Sequence, residues 1–281
     1  MQTTPTFLTS ENYYSSEANI DYMSYSQYKR FVSCEARALA ELKNEWAEEK
    51  SDALIIGSYV HAAIESEESL VKFKLENPEI FSSQGKSKGE LKAPFQKANK
   101  MIEVAFHDPI INLSLEGEHE KIVTGFFAGC MWKCKIDVLN RQDGFLTDFK
   151  TARSLYEKFW DDENRAWVNF IEWFGYPGQL ALYSQIEMID SKRDYRLNTL
   201  LTIVTNEEYP DKIVISFNPE QGGHPLDDYL IAIQNNMPRI LAVKSGQEKP
   251  RRCGKCDYCK HTKTLSQILD FDDFLGLHFN Y

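Results

Sequence analysis

Apolar residues recur at helical spacing through "YMSYSQYKRFVSCEARALAELK", which predicts one helix from Tyr22 to Lys43. Ser24 is placed to cap it, and Gln27 three residues on completes a capping-box pattern. "ALIIGSYVHAAIESEESLVKFK" predicts a second helix, on which Gly57, His61 and Glu65 recur every four residues along one face. Residues 67–110 read as helix and loop, rich in lysine. The period then falls to two. "KIVTGFFAG", "CMWKCKIDVLN" and "GFLTDFKTA" are short, rich in β-formers and divided by turn signals. "NRQDG" is a hairpin connection between the last two. "YPGQLALYSQIEMI" returns to a helical period behind Pro177. "RLNTLLTIVT" and "DKIVISFN" predict two more strands, and "HPLDDYLIAIQNNMPRILAVKSG" a long helix. Residues 1–20 are polar and are expected to form a flexible arm. With no repeat and no linker, residues 21–281 are expected to fold as a single α/β domain of mixed strand order.

The strand "GFLTDFKTAR" carries the first chemistry. Successive strand residues face opposite ways, so Asp148 and Lys150 share one face and Phe145, Thr147 and Phe149 the other. Taken alone, D-x-K reads first as a surface salt bridge. Asp137 changes that reading, because a hairpin between its strand and the next brings it towards Asp148. Two converging carboxylates repel unless a cation lies between them, and oxygen ligands suit Mg²⁺ or Mn²⁺. His61 offers a nitrogen ligand from the helix, although an isolated histidine is more often a satisfied core or surface residue. Lys150 beside one or two metal ions is placed to position or deprotonate a water. These are the parts of metal-assisted phosphodiester hydrolysis.

The order D-V-L, turn, D-F-K resembles the PD-(D/E)xK nuclease superfamily, with D-x-K in place of E-x-K. "GSYVHAAIE" resembles the G-x-x-x-H-x-x-x-E helix of its RecB-type members, and "GQLALYSQ" their Q-x-x-x-Y helix. The motifs stand in the family's order across residues 57–183. The resemblance implies a restriction-endonuclease-like α/β core, a mixed central β-sheet flanked by helices. It implies that His61, Asp137 and Asp148 bind metal, with the Phe149 carbonyl as a further ligand. Lys150 would serve the attacking water. Gln179 and Tyr183 would contact a DNA phosphate or brace the site, where the bare sequence also allows plain helix packing.

Six cysteines without a secretion signal do not suggest disulfides. Cys130 and Cys134 flank Trp132 in a strand and read as small core residues. Cys253, Cys256 and Cys259 form C-x₂-C-x₂-C, three soft ligands that need a fourth. Cys34 is the first choice and His261 the second. Joining one remote N-terminal cysteine to three C-terminal ones resembles the iron staple of AddB-type and CRISPR-adaptation RecB-type nucleases, here with a shorter last gap. Residues 250–262 would then close on Cys34 around a [4Fe–4S] cluster, with Zn²⁺ as the alternative.

Composition narrows the partners. The 281 residues carry a net charge of −10, which argues against coating DNA nonspecifically but not against a local groove. Lysines cluster at Lys86, Lys88, Lys92, Lys97 and Lys100, and again in "EKPRRCGKCDYCKHTK"; either run is a solvated face or a phosphate contact. No run is apolar enough to span a membrane, so a cytoplasmic location in a bacterial host cell is expected. "MSYSQYKRFVSCEARALAEL" and the tail resemble the phage-encoded RecE-like exonucleases. That resemblance implies an exonuclease resecting linear duplex DNA ends for phage recombination, a single-strand annealing partner and a homo-oligomer. A CRISPR-adaptation-type nuclease trimming single strands is the enzyme alternative, and a catalytically idle nuclease-fold binding module the non-enzyme one.

Overall fold

Five strands lie side by side in the computed structural model, which describes residues 6–47, 51–162, 164–218, 226–265, 268 and 270–272. With a separate two-stranded hairpin the described residues form seven strands, β1 (Glu118–Phe127), β2 (Cys130–Asn140), β3 (Phe145–Ala152), β4 (Lys158–Asp161), β5 (Ala166–Asn169), β6 (Asn198–Thr205) and β7 (Lys212–Phe217). The main sheet runs β1-β2-β3-β6-β7, and β4-β5 is a separate hairpin. All neighbours in the main sheet are antiparallel except β3 and β6, which pair in parallel. That parallel step requires a helical crossover. The crossover contains α8 (Phe170–Trp173) and α9 (Tyr176–Asp190). The expected mixed sheet with flanking helices is therefore present.

Before the sheet come α1 (Ser16–Asp21), α2 (Tyr25–Ser33), α3 (Glu35–Leu42), α4 (Asp52–Glu65), α5 (Glu67–Glu76), α6 (Ala93–His107) and α7 (Pro109–Ser114). After it come α10 (Leu226–Lys244) and α11 (Asp257–His261). Among the described residues two large apolar clusters form, beside a small third one around Cys34 and Cys259. One joins Phe31, Leu146, Leu180, Leu201 and Met237, and the other Val60, Met101, Val138 and Phe149.

Three features differ from the sequence expectation. The first two helices are each divided. Cys34 is extended (φ −161°) between α2 and α3, and Ser66 (φ −172°) between α4 and α5. Ser66 caps α5 by accepting from Ser69 N–H, a local bond that competes with helix continuation. Ser24 does accept from Gln27 N–H, but the Gln27 amide turns to the Asn19 carbonyl, so only half of the capping box forms. Part of the expected flexible arm is built into the fold. Ser16–Asp21 is helical, Tyr13 is buried, and the buried Lys133 ammonium donates to the Tyr13 carbonyl. A lysine removed from water needs acceptors, and this segment supplies them. Residues 1–5 lie outside the described residues. The β4-β5 hairpin was not expected at all.

Candidate active site

Helix α4 comes close to β3 because position 57 is glycine. A Cβ there would meet Thr151 Oγ1 at 3.3 Å. One turn on, His61 sets its ring edge-on to Phe149, centroids 5.5 Å apart. Its Nδ1 lies 3.8 Å from Asp137 Oδ2, beyond hydrogen-bond range. Asp137 Oδ2 instead accepts the Phe149 N–H at 2.7 Å, which ties β2 to β3 at this level.

Asp148 is 1% exposed. Its Oδ1 accepts from Lys150 Nζ at 2.6 Å and from Gln179 Nε2 at 2.9 Å. Its Oδ2 is buried and has no hydrogen-bond partner among the described residues. Leaving a buried carboxylate oxygen unpaired is costly, so an electropositive group is called for at that point. Gln179 reaches Asp148 because α9 starts close by. Gly178 lets the Tyr25 hydroxyl approach, where a Cβ would stand 2.4 Å from it, and that hydroxyl donates to the Gly175 carbonyl. Tyr183, one turn beyond Gln179, lines the same cleft.

One residue that no sequence motif marks, Glu120, joins this group. The Ala128-Gly129 turn has positive φ at both positions, 47° and 89°, as a two-residue hairpin turn demands. It pairs Phe127 with Cys130 and, counting back, Lys121 with Ile136 and His119 with Val138. Glu120 therefore lies across from Asp137. Ligand atoms of His61, Glu120 and Asp137 fall within 4.8 Å of one another. Glu120 also pairs with Lys135. The available signal was register: a two-residue turn at Ala128-Gly129 fixes every pair on this ribbon.

Burial dominates the electrostatics. It raises Asp137 and Asp148 to about 6 each, against the lowering effect of Lys150. It lowers His61 to about 4, assisted by the Lys150 charge, so the imidazole is neutral at pH 7 with a lone pair to offer. Burial works against the Lys150 ammonium too, but Asp148 and Asp137 outweigh it and its pKa rises. Burial also raises Tyr183 well above the phenol range, so it stays neutral. The imidazole and two carboxylates of His61, Glu120 and Asp137 fit a hard divalent cation, and Asp148, outside that 4.8 Å group, adds an orphaned carboxylate oxygen in the same cleft. The site opens into a cleft of about 1170 Å³, lined also by Lys29, Lys133, Lys135 and Tyr176.

The cysteines form a second centre. The break at Cys34 turns its side chain to the tail, where its sulfur is 3.6 Å from that of Cys259. The Cys253 and Cys259 sulfurs are 3.9 Å apart, and all four sulfurs lie within 4.8 Å of one another. The Cys256 N–H points at Cys253 Sγ at 3.3 Å. His261 packs on the Trp46 ring, centroids 5.5 Å apart, and is not in the cluster. Cys134 is buried in the core beside Trp132. No helix among the described residues is long and apolar enough to cross a membrane.

The family described as "PDDEXK-like domain of unknown function (DUF3799)" matches residues 24–262. No curated protein matches the chain. Among solved structures, a protein from Eubacterium rectale named "Putative exonuclease" superposes with a TM-score of 0.85. It is 34% identical, over 96% of this chain and 98% of that one. SSO0001 aligns over 81% of this chain and 93% of its own at 15% identity, with a TM-score of 0.27.

Proposed function

Because this chain belongs to the PDDEXK-like family, we propose that it is a divalent-metal-dependent deoxyribonuclease that shortens linear duplex DNA from its ends. The observation that carries the reading is Asp148: one oxygen held by Lys150 and Gln179, the other buried and unpartnered, on a carboxyl group that feels the charge of Asp137. An idle binding module has no use for buried acids next to phosphates. The name of the Eubacterium rectale protein supports the exonuclease part.

In this reading Asp137, Asp148, neutral His61 and the Phe149 carbonyl hold one or two Mg²⁺ or Mn²⁺ ions, and Glu120 adds a further carboxylate. A bound divalent ion would supply a more acidic water and offset charge on the scissile phosphate. The chain's own groups do the rest. Gln179 fixes the Asp148 carboxylate in one orientation. Lys150, cationic and within reach of Asp148, orients the attacking water and steadies the phosphate's developing charge. Tyr183 braces the α9 wall of the cleft as a neutral hydrogen-bonding group.

For the four cysteines the reading is a structural centre tying the two ends of the chain, of the kind whose binding free energy becomes folding free energy. Zn–S bonds of ≈ 2.3 Å set tetrahedral sulfurs ~3.8 Å apart. The separations of 3.6 and 3.9 Å therefore favour one tetrahedral Zn²⁺. A [4Fe–4S] cluster places iron and sulfide between its thiolates and would need them to spread.

The test is incubation with Mg²⁺ and equal masses of linear duplex, supercoiled circle and single-stranded circle. Loss of the linear duplex alone supports the reading. Nicking of the supercoiled circle contradicts exonuclease action, and attack on linear single strands but not duplex favours the overhang-trimming alternative. A role in phage recombination beside an annealing protein, and a homo-oligomeric assembly, rest on the RecE-like resemblance.

A further inference from the structure

A line of aromatic rings leads from the catalytic lysine to the protein surface. Lys150 Nζ lies 5.5 Å from the centroid of the Tyr176 ring. Tyr176 stacks on Phe174 at 5.8 Å, Phe174 meets Phe159 edge-on at 5.3 Å, and Phe159 stacks flat on Trp173 at 5.2 Å with 5° between planes. The outer end is open to solvent: Trp173 is 45% exposed and Phe174 39%. On the adjoining hairpin, Trp160 and Trp167 contact each other and are 45% and 65% exposed. Exposed rings at this density mark a binding surface.

We propose that this ring line is a base-stacking platform that receives the unpaired strand of a DNA end and guides it into the cleft. The inference rests on the nuclease reading and adds the form of the substrate at the mouth of the site. Three observations select nucleic acid as the occupant. The line is continuous with the cleft, since Phe174 and Tyr176 line the same space as Asp148 and Lys150. A cation stands at the junction: Lys29 Nζ donates to the Phe174 carbonyl at 2.5 Å within that space. And the rings offer π-faces, which bases use for stacking without sequence preference. The hairpin turn carries both signs of charge, Asp161 and Asp162 beside the exposed Arg165, so charge alone does not draw a phosphate chain to the outer end and the rings supply the contact there. Bases inside a duplex have no free face to offer, so the platform selects unpaired nucleotides.

The test uses the full chain in EDTA, where binding is read without turnover. Fluorescence-detected binding of an oligo-dT strand and of a blunt duplex is measured for wild type, Trp173→Ala and Trp173→Phe. Trp173→Ala should weaken oligo-dT binding by about five- to a hundredfold, the range for losing one stacked base, and change duplex binding by less than about twofold. Trp173→Phe should restore most of the loss. With Mg²⁺, hydrolysis of the p-nitrophenyl ester of thymidine 5′-monophosphate should be unchanged in Trp173→Ala, since that ester is too short to reach the platform. Unchanged oligo-dT affinity, or an equal loss for both DNAs, overturns the proposal. A smaller assembly on size-exclusion chromatography with DNA affinity intact also overturns it and makes the rings an interface between copies. A chain that binds oligo-dT through these rings yet never cleaves DNA keeps this inference and defeats the nuclease reading.

Discussion

Lys150 Nζ and Asp148 Oδ1 are 2.6 Å apart, two residues along one strand and on the same face of it. The pair is neither a surface salt bridge nor a closed one. Asp148 is buried and keeps its second oxygen without a partner, while Lys150 faces the cleft. Replacing Lys150 by alanine removes a positioning cation but leaves the carboxylates. We therefore expect Lys150→Ala to bind DNA with near-normal affinity while turnover falls by about 10²–10⁴-fold. Lost binding with an unchanged turnover number would make Lys150 a phosphate contact only.

Glu120 should matter although no motif marks it. Glu120→Gln keeps the shape and removes one charge from the cluster with His61 and Asp137. Mn²⁺ affinity, measured by calorimetry without DNA, should weaken by about 10–100-fold. Equal affinity for both proteins would assign Glu120 to its ion pair with Lys135 alone.

Gly178 is tested by stability as well as activity. A methyl group there collides with the Tyr25 hydroxyl, which would have to give up its bond to the Gly175 carbonyl. Gly178→Ala should cost about 1–3 kcal/mol in urea unfolding, and disturb Gln179 beside it. Unchanged stability would show that Tyr25 moves aside freely.

The cysteine centre makes a collective prediction. Cys34→Ser, Cys253→Ser, Cys256→Ser and Cys259→Ser should each lose the bound metal and lower the melting temperature together, whereas His261→Ala should retain it. Elemental analysis should find one zinc per chain in a colourless protein. A brown protein with iron and acid-labile sulfide would assign the cluster instead.

Lys133 gives a pH dependence. Burial lowers it to about 8, with its ammonium held by the Tyr13 carbonyl and, at 2.8 Å, by Asn19 Oδ1. Between that value and the ordinary lysine value near 10.4 the unfolded chain binds more protons, so this group makes stability rise with pH across that window. Lys133→Met should show a smaller rise from pH 8 to pH 10 than wild type. An identical slope would mean that Lys133 titrates normally.

The five main strands and the outline of the two site helices were legible because period and turn signals agree there, and the structure draws the motif residues His61, Asp137, Asp148, Lys150 and Gln179 into one cleft. What was hidden depends on tertiary contacts. The break at Cys34 has no local breaker, because "FVSCEARAL" is a sound helical pattern and only the position of the tail explains the extended residue. The β4-β5 hairpin is short and contains acids that weaken the alternating pattern. Glu120 lies at the start of its strand, and its place beside Asp137 emerges only from the register of the whole ribbon.

In the proposed reading Asp148 would hold a divalent ion on which this chain's hydrolysis of DNA depends. This dependence is tested most directly by the initial rate of nucleotide release from linear duplex with Mg²⁺, measured for wild type and for folded Asp148→Ala side by side. Release by wild type that stops in EDTA and falls by several orders of magnitude in the variant is the expected result. Near-equal rates in the two proteins would contradict it.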